Sequence, residues 1–264
     1  MNNREDVGII LDKYLKELQL SSFRKYHRDI AKKATKESLN YEQYLLELVE
    51  EERALRRQRR IERLLKKSRL PLEKDLKSFD LKRLPPRAIQ EVNTLLKGKF
   101  IDYKENVLVF GNPGSGKTHL LSAIGQELIQ RDTRKIYSVK CSMLVQDLLL
   151  AKKTLQLPRM IKKFSRFEGM IIDDIGYVQQ NREEMEVLFT LLAERYERGS
   201  ILLSSNLPFS KWERIFKDPM VTAAAIDRLI HHSVIIELNI SSYRMSQART
   251  RKKDTARKKG GEKD

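Results

Sequence analysis

With 264 residues, the chain has room for one full α/β domain and a smaller module beside it. Its 53 Lys and Arg against 36 Asp and Glu leave a formal net charge of +17, a surplus that points to a polyanionic partner, nucleic acid ahead of a membrane surface. The single cysteine, Cys141, excludes a disulfide framework and a cysteine-based zinc site, no apolar run reaches the ~20 residues of a membrane span, and no apolar leader follows Arg4, Glu5 and Asp6, so the expected location is the cytoplasm.

Residues 7–19 carry helical spacing at Ile10, Tyr14, Leu15 and Leu18. Ser21 and Ser22 offer an N-cap to a second helix ending near Lys36, and Asn40 with Gln43 forms a capping box for a long third one. The apolar face of that third helix is Tyr41, Tyr44, Leu45, Leu48, Val49, Leu55, Ile61, Leu64 and Leu65. Residues 1–70 therefore read as an all-helical module. Its last helix is unevenly charged: Glu47, Glu50, Glu51 and Glu52 precede Arg53, Arg56, Arg57, Arg59, Arg60, Arg63, Lys66 and Lys67, with only Glu62 among the bases. A solvated face would pair such charges at i,i+4. Here acids are too few, and the block reads as a DNA-binding surface that tracks phosphates.

Pro71 stops the helix, and residues 71–86 read as an extended linker before a helix over 87–97 that Gly98 ends. The strand Val107–Phe110 then runs into Gly111, Asn112, Pro113, Gly114, Ser115, Gly116, Lys117 and Thr118, which match G-x-x-x-x-G-K-[ST], and an amphipathic helix follows over 119–129. The glycines allow a tight turn with inward N–H groups, and the helix N-terminus adds partial positive charge for an anion. Lys117 is placed to reach the β- and γ-phosphates of a nucleotide and Thr118 to ligate Mg²⁺. The loop is expected at the surface.

Beyond the loop, strands over 135–139, 170–174, 200–204 and 234–238 alternate with helices over 143–152, 159–167, 181–198, 210–217 and 221–230. That alternation predicts parallel βαβ units with the sheet covered on both faces, an α/β class, in a domain over 87–246. From 247 to 264 the chain is basic and nearly free of apolar residues, a disordered tail. Asp173 and Asp174 end an apolar strand about 55 residues after the loop, at the sheet edge where ligands bind. Asp173 there can hold the Mg²⁺ and Asp174 can polarise the attacking water. Asn206 ends the next strand and can face the γ-phosphate or the water. Arg228 and Arg244 follow the core strands, and arginine suits the charge on a transferring phosphoryl group. His231 and His232 have no spaced ligand partners, so no metal is expected there, and Phe209 and Trp212 read as packing residues.

The ordered motifs Gly-Asn-Pro-Gly-Ser-Gly-Lys-Thr-His-Leu, Ile-Ile-Asp-Asp-Ile-Gly-Tyr, Ser-Asn-Leu-Pro-Phe-Ser-Lys-Trp, Asp-Arg-Leu-Ile-His-His and Ser-Tyr-Arg-Met resemble the IstB-type transposition helper ATPases, an AAA+ group close to the DnaC helicase loaders. The resemblance spans nearly the whole chain. It implies an AAA+ fold behind a helical module, binding of ATP with Mg²⁺ by residues 111–119, His119 included, and a homo-oligomer on duplex DNA that delivers target DNA to an IstA-type transposase. By the same resemblance Asn206 takes the sensor-1 role, Arg228 is an arginine finger toward a neighbour's ATP, and Arg244 is the sensor-2 arginine. The family carries Asp-Glu where this chain has Asp173-Asp174, and the shorter side chain implies slow hydrolysis. A replicative helicase loader and a DNA-coating protein with a vestigial nucleotide site are the alternatives.

Overall fold

Three helices, α1 (Asn2–Glu17), α2 (Ser21–Glu37) and α3 (Tyr41–Ser68), open the chain in a computed structural model that describes residues 2–176, 182–213, 219–240 and 242. The chain divides into two units, Met1–Arg63 and Leu64–Asp264. In the first, the capping box forms as its sequence dictates: Gln43 N–H donates to Asn40 Oδ1 at 2.8 Å and Asn40 N–H donates to Gln43 Oε1 at 2.9 Å. The cap of α2 differs from expectation. Leu20 holds the N-cap position without a side-chain bond, and Ser21 and Ser22 are the first helical residues. The acceptor comes from α3 instead, where Glu52 Oε2 takes the Ser22 N–H at 2.8 Å and Glu52 Oε1 takes Arg56 Nε at 2.7 Å. Burial pushes the Glu52 carboxyl up, but the Ser22 N–H and the Arg56 guanidinium outweigh it and hold the group below the usual carboxylate range. The apolar faces are only partly covered: Leu15, Leu48 and Ile61 are buried, while Tyr41, Leu45 and Leu18 are 94%, 53% and 65% exposed. Three helices of this length enclose little volume, so much of each stripe stays at the surface.

In the second unit, residues 71–86 are not extended. They make turns and a short 3-10 turn (Leu81–Arg83), and Gln126 Nε2 donates to the carbonyls of Pro71 and Lys74, both at 3.0 Å. The isolated sequence shows Pro71, Pro85 and Pro86 but not the amide that gathers this backbone. Next come α4 (Pro86–Leu95) and α5 (Lys99–Asp102), a four-residue helix entered through Gly98 at φ +76°, which buries Phe100 and Ile101.

Five strands follow: β1 (Asn106–Gly111), β2 (Ile136–Lys140), β3 (Gly169–Ile175), β4 (Ser200–Ser205) and β5 (Ser233–Leu238). They form one sheet in the order β2-β3-β4-β1-β5 with every pairing parallel. Among the described residues the connecting helices are α6 (Lys117–Asp132), α7 (Cys141–Lys153), α8 (Leu157–Phe164), α9 (Arg182–Arg195) and α10 (Pro219–Ile230). Of the helix expected over 210–217, residues 210–213 are described: the 3-10 turn Phe209–Lys211 leads through Trp212 to a helical Glu213. The inner strands read as continuous apolar runs because both faces are covered: Val107, Leu108, Val109, Ile172, Leu202 and Leu203 are all 0% exposed. Trp212 is fully buried against Phe110 and Phe209, as a packing residue should be.

A charged side chain also lies inside this core. Arg195 is 2% exposed and donates to the carbonyls of Phe164, Phe167, Glu168 and Ser200, tying the entry of β3 to the entry of β4. Burial pulls its guanidinium down to about 10, so the group stays charged at neutral pH. No helix among the described residues is long and apolar enough to cross a membrane. Arg244, Asn181 and the tail over 247–264 lie outside the described residues.

Candidate nucleotide site

Gly111 closes β1 and Lys117 opens α6, and the five residues between them form the loop. Gly114 and Gly116 sit at φ +80° and +99°, where a side chain would be strained, and a Cβ on Gly116 would also lie 3.1 Å from the Phe79 ring. The N-terminus of α6 has no capping side chain and no acid in its first turn, which leaves its N–H groups and positive dipole end for an anion. Lys117 is 6% exposed, and its Nζ donates to the carbonyls of Gly111 at 2.8 Å and Asn112 at 3.1 Å. The lysine is thus held in the loop's concavity and not on an open surface. Ser115 Oγ is buried with no hydrogen-bond partner among the described residues.

Three neighbouring strands, β3, β4 and β1, bring their C-terminal ends to this loop. Thr118 Oγ1 donates to Asp173 Oδ1 at 3.0 Å, which joins two residues 55 positions apart in one partly buried pair. The register between β3 and β4 then breaks. Ile172 lies opposite Leu203 and Ile175 opposite Ser205, so Asp173 and Asp174 together face the single residue Ser204. That is a β-bulge, and Asp174 takes φ +62° within it. Strict alternation would send two successive side chains to opposite faces, and the bulge releases Asp174 from it. Ser204 Oγ donates to Asp173 Oδ1 at 2.5 Å and accepts the Asp174 N–H at 2.8 Å. Asn206 follows Ser205, the partner of Phe110 across the β1–β4 pairing, and its Oδ1 is buried with no partner among the described residues.

These groups fit a nucleotide with Mg²⁺. Two orphaned buried oxygens, an uncapped helix start, a lysine and a hydroxyl–carboxylate pair are the donor and acceptor set that phosphate oxygens and a hard cation require.

Other expected site residues lie elsewhere. His119 Nε2 meets Asp75 O at 2.9 Å and Ser78 Oγ at 3.2 Å, and its ring stands edge-on to Phe79 at 5.1 Å. The side chain of this histidine, a residue expected in the nucleotide cradle, packs on residues 75–79. Arg228 is at the opposite edge of the sheet. Asn106, the first residue of β1, donates through Nδ2 to Leu229 O at 3.1 Å, and five strand steps at roughly 3.3 Å put that edge about 17 Å from Gly111. The Arg228 guanidinium lies 4.9 Å over the Phe189 ring and donates to Ala224 O. His231 and His232, which had no ligand partner by spacing, meet the exposed Glu197 with ligand atoms within 4.8 Å of one another. In α3, Arg53, Arg56, Arg57, Arg59, Arg60, Arg63, Lys66 and Lys67 are all exposed. Arg56 is paired with Glu52, and Arg59 donates to Ser21 Oγ at 3.0 Å.

Sequence reasoning passed over Ser204. Its one signal was a hydroxyl directly after the apolar run Ile201-Leu202-Leu203 of β4, where a buried polar side chain calls for a partner.

A family model described as IstB-like ATP binding protein matches residues 13–251. An insertion-sequence ATP-binding protein of Sinorhizobium fredii is 38% identical over 252 residues, covering 95% of this chain and 83% of that protein. The IS21 ATP-binding protein of Pseudomonas aeruginosa is 35% identical over 239 residues, 90% of each. Among solved structures, the DnaC helicase loader aligns with a TM-score of 0.53 at 15% identity over 64% of this chain and 98% of its own. AMPPCP-bound DnaA from Aquifex aeolicus aligns with a TM-score of 0.55 at 16% identity over 70% and 56%. With the parallel sheet and phosphate loop, these likenesses identify the fold of the second unit as that of an AAA+ P-loop protein.

Proposed function

The chain belongs to the IstB-like ATP-binding family, and from that premise we propose that it is a DNA-stimulated AAA+ ATPase that assembles on duplex DNA and presents it to a partner transposase. The observation that carries the ATPase reading is the Thr118–Asp173 pair in one site with the buried Lys117. Lys117 binds the β- and γ-phosphates, and Thr118 and Asp173 hold Mg²⁺, which when bound offsets phosphate charge. Asp174 orients the attacking water and accepts its proton, and the Asn206 amide faces the γ-phosphate side of the site. Arg228, on the far sheet edge, serves the site of a neighbouring subunit, and Arg244 takes the sensor-2 part.

DNA binding rests on the net charge of +17 and on the eight exposed bases of α3, which would contact phosphates and position the duplex without reading its sequence. The transposase as recipient is supported by the relatives' association with insertion sequences.

The test is phosphate release by the full chain with ATP and Mg²⁺, with and without duplex DNA. Wild type should release phosphate faster on DNA, and Lys117→Ala should lose ATP binding. The buried Lys117 also means that this variant unfolds more easily, by about 2 kcal/mol for two lost hydrogen bonds. No release under either condition would favour the DNA-coating reading, and recovery of a replicative helicase without DNA binding would favour the loader.

A further inference from the structure

Ser204 is fully buried in the middle of the sheet and bonds to both carboxylate-bearing residues of the candidate site. We infer that Ser204 is the positioning residue of the metal and water groups: one hydroxyl both fixes the Asp173 carboxylate and holds the bulge that carries Asp174. The inference rests on the ATPase reading above and names a residue to which that reading gives no role.

The bulge explains why a hydroxyl is needed. A parallel ladder pairs each strand residue in turn, and inserting one extra residue leaves a backbone group without a ladder partner. Here Asp173 and Asp174 oppose the single Ser204, and the Asp174 N–H finds its acceptor in Ser204 Oγ at 2.8 Å. A serine hydroxyl has one proton to give and two lone pairs. The proton goes to Asp173 Oδ1 at 2.5 Å and a lone pair takes the Asp174 N–H, so both functions are used at once. An alanine at 204 can do neither.

The same bonds set the orientation of Asp173. Thr118 Oγ1 and Ser204 Oγ both donate to Oδ1, and neither engages Oδ2. The carboxylate is thereby held from two sides, by the helix after the loop and by the neighbouring strand. Groups that orient a metal-holding carboxylate in this way typically change metal affinity or activity about 10- to 100-fold when removed.

The experiment compares wild type, Ser204→Ala and Ser204→Thr in the full chain. Three readouts are taken: ATP binding without divalent ion, Mn²⁺ affinity of the ATP-bound protein by electron paramagnetic resonance, and exchange of the Asp174 amide proton by NMR. Ser204→Ala should bind ATP alone as wild type does, bind Mn²⁺ about 10-fold more weakly or worse, and expose the Asp174 amide to fast exchange. Ser204→Thr keeps the hydroxyl and should restore both. If Ser204→Ala does not fold, wild-type Asp174 protection and Ser204→Thr Mn²⁺ affinity still decide: a fast wild-type amide or a Thr variant with lost affinity overturns the inference. Wild-type Mn²⁺ affinity and amide exchange in Ser204→Ala overturn it while leaving the ATPase reading intact. Failure of wild type to bind divalent ion with ATP defeats that reading and this inference together.

Discussion

Asp174 occupies a backbone state that few non-glycine residues adopt, φ +62°, and Asp is among those that adopt it most readily. That preference bears on the Asp found here, at a position where the family resemblance implies Glu. The shorter side chain suits the left-handed position but carries its carboxylate one methylene less far toward a water. Asp174→Glu should therefore raise DNA-stimulated turnover, by about tenfold if proton acceptance limits the rate, and lower stability by ~1 kcal/mol through backbone strain. Steady-state phosphate release and a thermal melt check the two halves, and a Glu variant no faster than wild type removes the account of slow hydrolysis. The phosphate loop itself was readable residue by residue, since its eight positions are contiguous and its chemistry is local. The bulge was not, because it depends on how β3 and β4 align.

At the scale of elements, helix ends separate what is local from what is not. The start of α3 is capped by residues three apart, and any reader of Asn40 and Gln43 finds it. The start of α2 is capped by Glu52, 30 residues away from Ser22, and the adjacent serines pointed to the wrong donor–acceptor pair. The Glu52 carboxyl titrates below its ordinary 4.5 in the folded chain. Its contribution to stability is thus complete above 4.5, the unfolded value, and is lost as pH falls through the lower folded value. Glu52→Gln should destabilise the chain by about 1 kcal/mol near neutrality, with the difference from wild type shrinking as the acid range is entered. Paired thermal melts at neutral pH and near pH 3 would show it, and a pH-independent difference would exclude the charged cap. The segment before α4 makes the same point: its turns depend on Gln126 of α6, so its prolines alone read as a linker.

For the whole molecule, the parallel sheet places two sets of groups at opposite edges. The loop, Asp173 and Asn206 are at the C-terminal edge and Arg228 is at the other, about 17 Å away by strand rise. An arginine that far from its own loop can serve phosphate chemistry only across a subunit boundary. Arg228→Ala should then keep ATP binding and lose turnover by roughly 10³-fold. Mixing it with Lys117→Ala should restore part of the activity, since on the proposed assembly the Lys117→Ala subunit would donate its arginine to the intact site of its neighbour. Mixed samples no more active than the two variants apart would place Arg228 outside the reaction.

By itself the sequence determined the α/β class, the helical first module, the phosphate loop, the carboxylates after it and the basic block of α3. Each of these is written in contiguous residues, in a period of two or 3.6, or in net charge, and none needs a distant partner to be seen. Tertiary structure alone decided that Ser204 holds both aspartates, that Glu52 caps α2, that His119 packs on residues 75–79 and that Arg228 sits on the far edge. Those four depend on strand register and on contacts between residues 30 or more apart, which local periodicity does not encode.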